Sequence, residues 1–178
     1  MDHGIEQTTN GNNDTAAVPP PPVTHHQADS STNLSTTKEM YTMNANELRD
    51  ALMHCTGSEQ LHGMGPLFKA VITDGVKLLG DEAQCFWLLT DALAVICQKI
   101  PGKNYDDGFM VIELGARQPD GGMDLRITTG RDGDAPIHSQ HYDRTSFPLD
   151  EGIKLYAVWS QANEARGQEW FLMLPSEY

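Results

Sequence analysis

An acid set inside a greasy stretch is the first residue of this chain able to do chemistry. Asp91 follows Trp87-Leu88-Leu89-Thr90 and precedes Ala92-Leu93-Ala94-Val95-Ile96. A carboxylate among apolar neighbours costs free energy unless it is paired or protonated. A carboxyl with a pKa raised in this way can serve as an acid or a base. Such work needs a second positioned group, and the sequence places none beside Asp91. The plainer reading is that Asp91 bonds a backbone group or a tyrosine and fixes how a sheet docks on its helix. Asp74, after Thr73, reads as a helix cap rather than a ligand.

Metal chemistry finds little support. His138 and His141 are three apart, which on a strand sends them to opposite faces. His54, Cys55 and His62 lack the ligand spacing of a zinc site. The pair His25-His26 is weak evidence for the same reason. Asp106-Asp107-Gly108 and Asp132-Gly133-Asp134 lack the ligand pattern of a calcium loop and read as turns. No phosphate loop, Gly-x-Ser-x-Gly or His-Glu-x-x-His occurs. The expectation is therefore no metal and no cofactor. Trp87 reads as core, since large aromatics dominate cores. Trp159 and Trp170 fall on late strands, and Tyr178 closes the sequence. These three are the candidate interface residues.

Charge narrows the partners. The net charge is −13. Asp2, Glu6, Asp14 and Asp29 against Lys38 account for −3 within residues 1–38, leaving 21 acids and 11 bases, or −10, in the rest. Such a field repels phosphate backbones, whose recognition rests on Lys and Arg. It also disfavours anionic membranes. It suits solubility, a basic protein partner, or a decoy that imitates nucleic acid. The three cysteines, Cys55, Cys85 and Cys97, form no Cys-x-x-Cys and read as buried thiols in a reducing compartment. No signal peptide is visible, and the longest apolar block, Cys85 to Cys97, is too short to span a bilayer. The expected location is cytoplasmic.

The elements that must position these residues follow from periodicity. Residues 1–38, rich in Thr, Asn, Ser and Pro, hold only isolated apolar residues and read as a disordered tail. Pro19 to Pro22 have a Pro-x-x-Pro spacing without a flanking base. A single domain is expected over 39–178. Its first helix starts near Asn44, capped by Asn44 or Asn46, with Leu48, Ala51, Leu52 and Cys55 as the stripe and Gly57 as the stop. Leu67, Phe68, Val71 and Ile72 form an apolar stretch of undecided type. A second, long helix is predicted from Thr73-Asp74 to Cys97, apolar nearly all round from Cys85 onward and therefore central in the core.

After Asp106-Asp107-Gly108 the period falls to about 2. Strands are predicted at Phe109 to Ala116, Met123 to Thr129, Pro136 to Tyr142, Ile153 to Trp159 and Glu169 to Leu174. Turns at Pro119-Asp120-Gly121-Gly122 and Gly130 to Asp134 join the first three. Helices followed by linked strands argue an α+β fold: two N-terminal helices on an antiparallel meander of about five strands. The apolar run Trp170-Phe171-Leu172-Met173 before Leu174-Pro175-Ser176-Glu177-Tyr178 predicts a docked final element.

Several stretches taken in order carry a resemblance. They are Leu48-Arg49-Asp50-Ala51-Leu52, Cys55-Thr56-Gly57-Ser58-Glu59-Gln60, Thr73-Asp74-Gly75-Val76-Lys77-Leu78-Leu79 and Trp87-Leu88-Leu89-Thr90-Asp91-Ala92-Leu93. Thr145-Ser146-Phe147-Pro148-Leu149 and Leu172-Met173-Leu174-Pro175-Ser176-Glu177-Tyr178 complete the set. Together, over roughly residues 46–178, they resemble a domain-of-unknown-function family of bacterial, plasmid and phage proteins. The family pattern reads Phe-Thr-Gly-Thr where this chain has Cys55 and Ser58. It reads Trp-Leu-Leu-Asp where Thr90 here precedes Asp91, displacing the acid by about 100° around a helix. The resemblance implies a small cytosolic protein of mobile or accessory genes and no reaction.

The leading expectation is a non-enzymatic interaction protein that presents an acidic surface to a protein partner, in one version an inhibitor of a host defence nuclease. The alternatives are a small hydrolase using Asp91, and a homodimeric scaffold using Trp159 and Trp170.

Overall fold

The first helix is specified at its entrance. Asn44 is extended, and its side-chain oxygen accepts from the backbone N–H groups of Asn46 and Glu47 at 3.0 and 3.1 Å. Glu47 reaches back to the Asn44 N–H at 3.0 Å. This reciprocal box satisfies orphan donors at both ends of the turn and starts α1 (Ala45–Met53). The structure, a computed structural model, describes residues 43–165 and 167–178. The predicted tail over 1–38, with its histidine pair and Pro-x-x-Pro, lies outside the described residues.

The undecided stretch before the second helix is strand. β1 (His62–Gly63) pairs antiparallel with β2 (Ala70–Ile72), all three of whose residues are buried. Thr73 then caps α2 (Asp74–Glu82), accepting from the Val76 N–H at 3.4 Å.

The predicted long helix is two helices. α2 stops at Ala83, Gln84 adopts a left-handed φ of 49°, and α3 (Phe86–Ile96) starts afresh. The Cys85 N–H bonds the Gly80 carbonyl at 3.1 Å, the six-to-one bond of a Schellman stop. The Phe86 ring fills the gap at Gly80, where a Cβ would come within 2.8 Å of Phe86 Cζ. α3 is also not apolar-buried all round: Leu88, Leu89, Ala92, Leu93 and Ile96 are fully buried, while Phe86 and Ala94 are exposed.

Among the described residues the strands number seven rather than about five: β1, β2, β3 (Phe109–Leu114), β4 (Met123–Thr128), β5 (His138–Tyr142), β6 (Ile153–Asn163) and β7 (Gly167–Met173). Their order is β1-β2-β7-β6-β3-β4-β5. The meander therefore holds only from β3 to β5. β6 returns to pair with β3, and β7 inserts between β6 and β2, antiparallel to the first and parallel to the second. Alternation aims Met110, Ile112 and Leu114, Met123, Leu125 and Ile127, Leu155 and Ala157, and Trp170 and Leu172 at one side. There they form one core with Leu48 and Leu52 of α1, Val76 and Leu79 of α2, and the buried side of α3.

The end of the chain is locked to the start of α2. After β7, Leu174 is buried and Pro175–Glu177 make a 3-10 turn. The Glu177 carboxylate accepts from the Thr73 hydroxyl at 2.6 Å, the Gly75 N–H at 3.1 Å and the Leu174 N–H at 3.0 Å. It thus occupies the helix end where backbone donors are unsatisfied and the dipole favours an anion.

Candidate functional site

Asp91 lies on α3 beside β5, the last strand of the sheet. Period-two alternation turns Tyr142 toward the helix, and its hydroxyl donates to Asp91 Oδ2 at 2.9 Å. The Tyr142 ring meets Trp87, one helical turn before Asp91, edge to face, with centroids 4.8 Å apart and planes at 72°. Thr90 turns inward on its own helix, its hydroxyl donating to the Trp87 carbonyl at 3.0 Å. Trp87, Asp91, Tyr142, Arg144, Thr145 and Ser146 line a pocket of about 350 Å³. Burial, then the bond to Asp91, then the charge of Asp91 hold the Tyr142 phenol above its usual pKa. Tyr142 therefore remains a donor to the carboxylate at neutral pH.

The tyrosine bond is the plainer of the two roles foreseen for Asp91. The pocket lining contains no histidine and no acid besides Asp91, one of whose oxygens is already engaged by the Tyr142 hydroxyl. What the arrangement offers is one carboxylate bonded at the hydroxyl rim of Tyr142 beside an edge-to-face pair of rings.

Asp74 is not the cap of α2; Thr73 takes that place. Asp74 instead ties down the loop before β1. It accepts from the Glu59 and Gln60 N–H groups at 2.9 and 3.1 Å and meets His62 Nε2 at 2.7 Å, while its own N–H donates to Ser58 Oγ at 2.7 Å. The His62 bond, followed by the backbone bonds from Gln60 and Glu59 and the contact with Ser58, lowers its pKa from 3.8 to about 2. A depressed carboxyl contributes stability above its unfolded pKa, and that contribution is lost as pH falls through the folded value. The unfolding midpoint in urea is expected to drop between about pH 4 and pH 2, and Asp74→Asn is expected to be weaker at pH 6 with a shallower drop in that window. Identical slopes for the two proteins would show that Asp74 does not hold the loop.

The thiols are not poised for reaction. Burial pushes Cys85 up to about 12 and raises Cys55 and Cys97 as well. Because the thiolate is the nucleophile, native protein is expected to react with Ellman's reagent at pH 8 roughly tenfold or more slowly than unfolded protein. One fast thiol in the native state would mark a reactive cysteine. His138 and His141 sit on opposite faces of β5, and His141 pairs with Asp124 at 2.7 Å, which raises its pKa.

The three interface candidates part company. Trp170 is fully buried, its indole N–H donating to the Lys99 carbonyl at 3.1 Å, so it offers no surface. Trp159 is half-buried against it, ring centroids 5.4 Å apart, with Lys69 Nζ 5.3 Å from its ring centroid. Tyr178 is 74% exposed. It stacks with Phe109 and Tyr156 at 5.6 and 5.5 Å, and those two rings are 5.1 Å apart. Phe109 and Tyr156 neighbour the core residues Met110 and Leu155 in sequence and so face the other side of the sheet. Sequence reading missed this triad. Alternation within β3 and β6 was its only signal, and it says nothing of where Tyr178 lands.

A groove of about 600 Å³ was also not foreseen. Leu52, Met53, Leu114, Leu149, Ile153, Leu174 and Pro175 form its apolar lining, with Arg49 and Glu151, paired at 2.6 Å, among its polar members.

Fold and pocket together define an α+β domain: a largely antiparallel sheet with helices on one face and an acid held between a helix and the last strand. The chain belongs to the family of unknown function DUF6876, whose model matches residues 46–178. No curated protein and no solved structure matches the chain. No helix among the described residues is long and apolar enough to cross a membrane.

Proposed function

We propose that this chain is a non-enzymatic protein-binding module of an accessory or mobile-element gene, acting in the cytoplasm on a basic partner. The observation that carries the reading is the aromatic triad Phe109, Tyr156 and Tyr178 on the sheet face opposite the helices. Half-exposed Val111, Val158, Phe171 and Met173 share that face. Rigid aromatic anchors surrounded by aliphatic contacts are the usual centre of a protein interface. The −10 balance over residues 39–178 selects a positively charged partner. It also works against a second copy, since two chains of the same net charge repel at long range. A narrower form of the reading is an inhibitor of a host defence nuclease, with carboxylates standing where phosphates bind. Competition with nucleic acid for the partner distinguishes that form.

Affinity capture from the native host, with the full chain and with Phe109→Ser/Tyr156→Ser run in parallel, tests the reading. The first bait is expected to return a basic protein that the second does not. Identical catches overturn the surface. A light-scattering mass of twice 19.6 kDa, lost in the double variant, gives the face to a homodimer instead.

The hydrolase reading keeps one observation in its favour, the pocket that holds Asp91 with hydroxyls at Tyr142, Thr145 and Ser146. No histidine lines that pocket to work with Asp91 on those hydroxyls. A phenotype abolished by Asp91→Asn in a protein of unchanged fold, with no partner lost, revives it.

A further inference from the structure

We infer that the pocket between α3 and β5 is a recognition site for an alkylammonium group, with Asp91 as its counter-ion and Trp87 and Tyr142 as its aromatic walls. Asp91 is half-buried on a helix whose other residues, Thr90 apart, are apolar. One of its oxygens accepts the Tyr142 hydroxyl, and no cation lies within ion-pair distance of it among the described residues. Taking a carboxylate out of water without a counter-ion costs free energy that an incoming cation recovers. The two rings stand nearly perpendicular, forming a corner. An ammonium held by Asp91 beside this pair is drawn to the ring face it meets, most strongly to a Trp.

The Tyr142 hydroxyl bond fixes the carboxylate against the rings, so the site is formed before anything binds. At about 350 Å³ the pocket falls in the range of small-ligand sites and has room for the carbons of an alkyl chain as well as its charged head. Arg144 also lines it, is exposed, and makes no ion pair with Asp91. Its guanidinium repels an arriving cation and so sets the affinity low.

The inference does not rest on the sheet-face reading; the two surfaces lie on opposite sides of the sheet and are tested by different variants. The same ammonium could come from a free amine or from a lysine side chain of a protein. Titration of the full chain by ¹H–¹⁵N NMR with tetramethylammonium chloride, n-butylammonium chloride and a short N-trimethyl-lysine peptide separates these sources, with sodium chloride at equal ionic strength as the blank. Saturable shifts of the Trp87 indole and of Asp91 and Tyr142 amides are expected with the ammonium salts and not with sodium. Asp91→Asn, which keeps an acceptor for the Tyr142 hydroxyl, is expected to weaken binding about tenfold or more. Tyr142→Phe, which keeps the ring, is expected to weaken it less, and Arg144→Ala to tighten it. Saturation by the peptide as well as by the free amines assigns the site to a protein side chain; saturation by free amines alone assigns it to a small molecule. Shifts that match the sodium blank, or that survive Asp91→Asn unchanged, overturn the inference.

Discussion

Removal of the last five residues is expected to cost this domain about 4–6 kcal/mol, close to the whole stability of a weak domain. Two terms add to that figure. Leu174 is 3% exposed, and truncating a buried leucine costs about 2–5 kcal/mol. Glu177 makes charge-assisted bonds to Thr73 and Gly75; such bonds contribute about 1.5–3 kcal/mol, discounted here because the carboxylate is half-exposed. The contact has a signature that simple loss of burial lacks. A Cβ at Gly75 would come within 2.6 Å of Leu174 Cδ1 and 2.9 Å of the Glu177 carboxylate. Gly75→Ala should therefore destabilise the full chain by about 1–3 kcal/mol through overpacking. In a Leu174→Ala/Glu177→Ala background the same change should become neutral or favourable, since alanine exceeds glycine in a helix by about 1 kcal/mol. Urea unfolding of the four proteins closes the cycle. Additive effects would mean that the two ends do not touch. The stretches Thr73-Asp74-Gly75-Val76 and Leu174-Pro175-Ser176-Glu177-Tyr178, far apart in the chain, are thus two halves of one contact.

That coupling marks where sequence reading succeeds and where it stops. Local signals carried far. Asn44 announces α1, and strict alternation in Met123-Asp124-Leu125-Arg126-Ile127-Thr128 announces β4 and its buried face. The bond partner of Asp91 could be narrowed to a backbone group or a tyrosine, because few other neighbours relieve an acid on a greasy helix. Long-range pairing left no such trace. β2 is three residues long and gains its place by running parallel to β7, about a hundred residues later; the parallel register is invisible to periodicity. The break at Gln84 was missed because glycine is the usual residue at a left-handed helix end and here it is glutamine. Nor did electrostatics mark it: Asp81 and Glu82, in the last turn of α2, sit where the helix dipole disfavours acids, so charge argued for a helix continuing past them. The Trp87–Tyr142 corner needed the α3 register, which that break resets.

Gly152→Ala is expected to be among the most damaging single substitutions in the domain, at about 4 kcal/mol or more. Two effects combine and can be separated. Gly152 has a φ of +80°, and forcing an L-residue into that region costs about 1–2 kcal/mol by itself. A Cβ there would also enter the van der Waals shell of the Leu114 carbonyl oxygen and approach the Gly115 carbonyl oxygen to 2.7 Å. Both obstacles are backbone at the end of β3, which cannot swing aside as a side chain does. Relief requires β6 to lift from β3 at the Leu114–Ile153 pair. That movement strains the adjoining turn, where Asp150 binds Arg117 at 2.7 Å and Glu151 binds Arg49 at 2.6 Å. Arg117 also donates to the carbonyls of Thr145 and Phe147, so the disturbance reaches the loop that ends the Asp91 pocket at Thr145 and Ser146. Gly133→Ala supplies the reference. Gly133 has a φ of +83° with nothing near its absent Cβ, so it reports the backbone term alone, about 1–2 kcal/mol. The difference between the two variants in urea unfolding is the cost of the collision. A Gly152 variant no weaker than the Gly133 variant would mean that β6 yields freely. The pocket at Thr145 and Ser146 would then have no rigid support from this turn.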